Sequence, residues 1–281
     1  MPSTSTHSCR GYCRDCDQHH ELGAGSARES ATGLMREFTT LGRLDYLVPS
    51  GQADPRLGFD ALFQGEEGLM FGVLECRTTH GETVVLRAFS SLPGGIRNVE
   101  GWVPPLLDRN TYETVVLAEE LRIKKITHVM EALSPDSQEL KRLAEERRDA
   151  SRDLMQRMFA LYPLHNFRGE SRSLRDAFAA DGGIPGGAGE CCAPKLLNHA
   201  AREGIRPVGL AEFYWGNPDR FTGRRQGEFY SPCETKCQPI LGFLLCGLDV
   251  GGLASDRPGA GGPDSAGIDA GKPDSGGLPH V

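Results

Sequence analysis

The chain has 281 residues, 25% of them charged and 38% apolar, with a formal net charge of −7. That balance excludes a protein that coats nucleic acid by bulk charge, though not one with a local basic groove. No apolar run approaches the ~18–20 residues of a membrane span. Met1 to His7 carry neither a basic start nor an apolar stretch, so the expectation is a cytoplasmic protein with no membrane partner.

Nine cysteines in such a chain point to metal ligands or reactive thiols rather than disulfides. Near the N-terminus, Cys9, Cys13 and Cys16 precede His19 and His20, offering thiolates and an imidazole close together. A zinc knuckle over residues 1–28, built from the three cysteines and either histidine, is expected. The segment from Glu29 to Leu41 is predicted helical, with Leu34, Met35, Phe38 and Leu41 on one side. Two β-rich runs, from Met70 to Arg77 and from Thr83 to Phe89, flank Thr79-His80-Gly81-Glu82 and read as a hairpin.

Two long helical patterns, Tyr112 to Leu133 and Glu139 to Leu161, flank Ser134-Pro135-Asp136-Ser137. They predict an antiparallel helical hairpin over 112–161, a packing and spacing arm with a solvated charged face or, in the sharper reading, a docking arm for RNA or a protein partner. A glycine-rich loop from Gly182 then leads to a helix from Cys191, a strand from Arg206 to Trp215 and a final helix opened by Pro232-Cys233. Residues 249–281 are Gly, Pro, Asp, Ser and Ala with few large apolar side chains, the composition of a disordered tail. Cys76 and Cys246 stand alone in apolar surroundings and read as buried packing thiols.

The strongest chemical constellation is Cys191-Cys192 at one helix start with Cys233 and Cys237 at the next. Thiolates at helix N-termini face the positive end of the macrodipole, which favours deprotonation and metal binding. Cys192, Cys233 and Cys237 close three tetrahedral positions around zinc, with Cys191 as the alternative if the helix phase slips by one residue. This helix–strand–helix order resembles the zinc deaminase fold, in which a Cys-Ala-Glu element opens one helix and Pro-Cys-x-x-Cys the next. The resemblance implies an α+β fold: a deaminase-like αβα domain over 29–248 with the helical hairpin inserted. Here the second element has one extra residue, and Pro194 stands where the proton-carrying glutamate belongs. Glu190, Glu212, Glu228 and Glu234 are the candidates to replace it, and spacing singles out none of them.

Phe213, Tyr214, Trp215, Phe221, Phe229 and Tyr230 are interleaved with Arg220, Arg224 and Arg225. Aromatic faces stack on bases and guanidinium groups hold phosphates. Trp215, Tyr214, Arg220, Arg224 and Arg225 are therefore the candidate RNA-binding residues.

Gly189-Glu190-Cys191-Cys192-Ala193-Pro194-Lys195-Leu196-Leu197, with Ala211-Glu212-Phe213-Tyr214-Trp215-Gly216 and Gly227-Glu228-Phe229-Tyr230, resembles the N-terminal extension of RluA-type pseudouridine synthases. The likeness runs over roughly residues 110–248. No synthase domain follows, so what it implies is association with RNA modification rather than pseudouridine formation. The expected function is a zinc-binding module that binds structured or single-stranded RNA. The alternative is a zinc-dependent hydrolase or deaminase-like enzyme acting on a nucleobase or nucleoside.

Overall fold

The computed structural model describes residues 7–64, 68–91 and 95–248 as mixed helix and sheet; the expected tail lies outside them. The chain opens with a hairpin of β1 (Cys9–Cys13) and β2 (Gln18–Leu22), in which Cys9 pairs with Leu22, Gly11 with His20 and Cys13 with Gln18. Helix α1 (Ala27–Leu41) stops at Gly42, whose φ of 64° is the left-handed backbone that glycine adopts without strain. A short helix α2 (Asp60–Gln64) precedes the predicted hairpin, β3 (Leu69–Arg77) against β4 (Thr83–Phe89).

A one-turn helix α3 (Arg109–Thr111) runs through a π-helical turn, Tyr112–Val116, into α4 (Leu117–Glu131). Ser137 caps α5 (Gln138–Leu161) by accepting a hydrogen bond from the Leu140 amide. The two long helices pack on each other, and Arg122 reaches Glu146 at 3.2 Å. Ile126 is the buried side chain of α4, whereas α5 buries Leu143, Ala150, Leu154 and Phe159, so α4 carries the solvated face. A small hairpin, β5 (Pro163–His165) with β6 (Ser171–Ser173), and the single turn α6 (Leu174–Ala177) follow.

The last elements are α7 (Cys192–Arg202), β7 (Arg206–Trp215), the short β8 (Phe229–Tyr230) and α8 (Gln238–Leu244). They complete an antiparallel sheet of order β4-β3-β7-β8. Strand alternation gives this sheet two apolar faces. Phe71, Val73, Ala211, Phe213 and Trp215 meet Ala27, Ala31, Leu34 and Phe38 of α1. Leu74, Cys76 and Leu210 meet α7 and α8 in the other core. Each large side chain so buried contributes about 1.5–3 kcal/mol.

Two expectations change. The final helix begins at Gln238, not at Cys233, because the amides of Cys237 and Gln238 both turn back onto the Cys233 carbonyl. The N-terminal hairpin does not stand apart: β1 lies against α8 so closely that a Cβ on Gly11 or Gly242 would overlap the other segment's backbone. Cys9 and Leu22 are accordingly part of the main core.

Candidate metal centre

Among the described residues, two groups of side chains bring metal-ligating atoms together, each group with its donor atoms within 4.8 Å of one another. One is Cys191, Cys233 and Cys237; the other is Cys13, Cys16, His20 and Cys246. They sit near opposite ends of α8: Cys237 caps its start, and Cys246 lies just past Leu244. All nine cysteines are free thiols.

The first group is built by two helix starts. Cys191 is the residue before α7, in extended backbone with φ −76° and ψ 167°. The turn from Cys233 to Cys237 stacks those two sulfurs 3.3 Å apart. Hydrogen bonding from Cys191 and Cys237 pulls Cys233 far down into the thiolate range, while the bonds they share with it hold Cys191 and Cys237 up. A charge so stabilised among neighbouring thiols is the donor chemistry a soft divalent cation exploits.

The structure brings the alternative sulfur to the pair: Cys191, not Cys192, lies with Cys233 and Cys237. Gly72 is the reason. It leaves room on β3 for the first turn of α7, and a Cβ there would lie 2.6 Å from the Cys192 Cβ. Cys192 therefore points at the sheet, fully buried, with its thiol on the Met70 carbonyl at 3.2 Å. The neighbouring residue is left to face the other two sulfurs.

Beside the sulfurs of Cys191 and Cys233 lies a cavity of about 300 Å³, lined also by Ser90, Glu212, Arg224 and Lys236, among others; three cysteines are one fewer than a tetrahedral zinc site needs. A second cavity of about 450 Å³, walled by Tyr112, Met155 and Tyr162, shares Ser90, Cys191 and Lys236 with the first. Glu212 projects from the middle of β7 and is 4% exposed. Its Oε1 accepts the Ala193 amide at 2.7 Å, in the first turn of α7. Burial pushes its carboxyl up to about 7, outweighing the lowering effect of that hydrogen bond. Of the four candidate glutamates, Glu212 is the one that shares a cavity with the sulfurs of Cys191 and Cys233. A charged residue within the apolar run Leu210 to Trp215 was the sequence signal that could have selected it.

The second group departs from expectation in one member, Cys246 in place of Cys9, and takes His20 of the two histidines left open. Strand pairing puts His20 opposite Gly11, on the face that Cys13 shares, while His19 pairs with Tyr12 and meets its ring edge-on at 5.5 Å on the other face. Cys9 shares that inward face but lies in the main core, where burial pushes its thiol up. Cys246 takes the remaining place, its sulfur 3.4 Å from that of Cys16. Burial pulls the His20 imidazole down, with Arg168 adding to the effect, so the ring is neutral and able to ligate. No local signal marks Cys246, which is far away in sequence and set among leucines.

The proposed RNA platform does not form as expected. Tyr214 and Trp215 are 2% and 6% exposed because β7 is an interior strand of the sheet. Trp215 packs edge-on to Phe38 at 5.6 Å, and the Tyr214 hydroxyl bridges the Gly68 amide and the Asn217 carbonyl. Neither ring can stack on a base. Arg220 and Arg225 are exposed, as is Phe221, while Arg224 lies over the Tyr230 ring and lines the cavity. Among the described residues no helix is long and apolar enough to cross a membrane. Comparison with protein-family models, curated proteins and solved structures finds no match for this chain.

Proposed function

We propose that the chain is a zinc-dependent hydrolytic enzyme of the deaminase kind, acting on a nucleobase. One observation carries this reading. A buried carboxyl with a raised pKa, Glu212, lines the same cavity as two sulfurs of a three-cysteine cluster that has a position to spare. A zinc ion held by Cys191, Cys233 and Cys237 would supply Lewis acidity there.

The chain's own residues account for the proton work. In hydrolytic deamination, water provides the oxygen, the C–N bond breaks and the amine leaves as ammonia. A carboxyl poised near neutrality can take a proton from the attacking water and return it to the ring nitrogen or the departing amine. With Cys191 as ligand, the residue two positions on is Ala193, where a Cys-Ala-Glu element carries its glutamate. The Glu212 carboxylate reaches the amide of that same residue from the sheet. The missing glutamate thus has a substitute from β7, and Pro194 is no obstacle. The sheet order β4-β3-β7 and the helix on each face also suit a deaminase-like αβα domain.

The likeness to the extension of RluA-type synthases favours a base in RNA. The loop with exposed Arg220, Phe221 and Arg225 also supplies Thr222 and Arg224 to the cavity wall, so a phosphate-bearing chain could be held beside it. The test is ammonia release from cytosine, adenine and guanine nucleosides and from RNA fragments, by wild type and Glu212→Gln. Release by wild type that falls by about 10²–10⁴ in the variant, at unchanged zinc content, is the expected result. No release from any of these substrates overturns the deaminase reading.

A further inference from the structure

We infer that Cys13, Cys16, His20 and Cys246 form a second, closed zinc site that pins the N-terminal hairpin to the end of α8. It is independent of the catalytic proposal, since none of its ligands lines the cavities around Cys191.

The donor set is complete. Three thiolates and one imidazole satisfy tetrahedral zinc, which holds sulfur at about 2.3 Å and nitrogen at about 2.0 Å, and the cluster's donor atoms already lie within 4.8 Å of one another. Two of the four thiol and imidazole groups are nearly inaccessible, Cys13 at 1% and Cys246 at 0% exposed. The Nε2 of His20 is buried with no hydrogen-bond partner, an orphan that costs free energy unless something occupies it.

The surroundings are built for a charged centre. Three thiolates on a divalent ion leave one net negative charge, and Arg168 donates to the Cys16 sulfur at 3.1 Å. Arg172 holds Asp15 in the same turn at 3.0 Å. The Cys246 carbonyl accepts the Phe167 amide at 2.9 Å. Gly247, with φ 88°, lets the chain pass against that loop, where a Cβ would lie 2.7 Å from the Phe167 carbonyl carbon. The segment carrying Arg168 is therefore fixed by the same backbone that delivers Cys246.

The experiment is metal analysis of the full chain expressed with zinc. Wild type should hold about two equivalents, Cys246→Ser and His20→Ala about one each, and Cys191→Ser about one. The first two variants should lose the hairpin site and the third the cavity site, so the two proposals fail separately. If Cys246→Ser does not fold, a Cys191→Ser, Cys233→Ser double variant loaded with cobalt(II) serves instead. It should show one tetrahedral ion with sulfur-to-metal charge transfer, and His20→Ala in that background should abolish or shift the bands. Wild type with metal content unaffected by Cys246→Ser and His20→Ala, or a double variant with no thiolate-bound cobalt, overturns the inference.

Discussion

At the start of α8, three sulfurs lie together and two of them, those of Cys191 and Cys233, line a cavity; past its end, three sulfurs and an imidazole face one another. The side chains are nearly the same, and the helix between the two sets is seven residues long. What differs is what completes each set. Around Cys191 the neighbours are a buried carboxyl and open space, surroundings that suit a site admitting a reactant. Around Cys16 the neighbours are two further cysteines, a histidine and two arginines from the β5–β6 hairpin, surroundings that suit a closed site. Cysteine content says only that metal is welcome; the fourth position decides between chemistry and scaffolding.

The largest effect that would sharpen this contrast is on activity. Glu212→Gln should lower the hydrolytic rate by about 10²–10⁴, or roughly 3–5.5 kcal/mol of transition-state stabilisation, while leaving the melting temperature no lower than wild type. A large stability loss instead would make Glu212 part of the framework. Next comes the reverse case. Cys246→Ser should destabilise the fold by more than about 4 kcal/mol, as loss of a structural metal does, and Cys191→Ser by clearly less. Equal losses in denaturant unfolding would erase the distinction between the two clusters.

A smaller effect follows from pH. Glu212 titrates at about 7 when folded against 4.5 as an ordinary glutamate. Its stabilising contribution is therefore fully present below about pH 4.5 and is lost as pH rises through 7, about 3 kcal/mol in all. Thermal unfolding across that window should show wild type losing ground relative to Glu212→Gln, and parallel curves would refute the buried titration. Arg168→Gln should then weaken zinc at the closed site by about 10–100-fold in chelator competition, with the open site unmoved. Smallest of all, Arg225→Ala should reduce the salt slope of RNA binding by about one ion, whereas Trp215→Ala should unsettle the fold before it alters binding.

Much of the local structure was legible because it is local. Periodicity placed the β3–β4 hairpin, α5 and β7 within a residue or two, since alternation and 3.6-residue spacing respond to the same burial that shapes the elements. The spacing of Cys233 and Cys237 likewise announced neighbouring sulfurs, because a single turn of chain brings them together. The interleaved arginines and aromatics misled for a related reason. Composition reports which side chains a segment owns, and not that Tyr214 and Trp215 belong to a strand covered on both faces.

By itself, then, the sequence determined the elements, the two cysteine-rich neighbourhoods and the residue types a metal needs. The tertiary structure decided which donor atoms come together. Gly72 turned Cys192 toward the sheet and left Cys191 for the cluster; the β1–β2 register chose His20 over His19; and the Gly11–Gly242 approach brought Cys246 to a turn more than two hundred residues away in the chain. Glu212 was singled out from the four candidate glutamates only once β7 lay beneath the first turn of α7. Each of these choices depends on which backbones can touch, a property of three-dimensional packing that no spacing along the chain encodes.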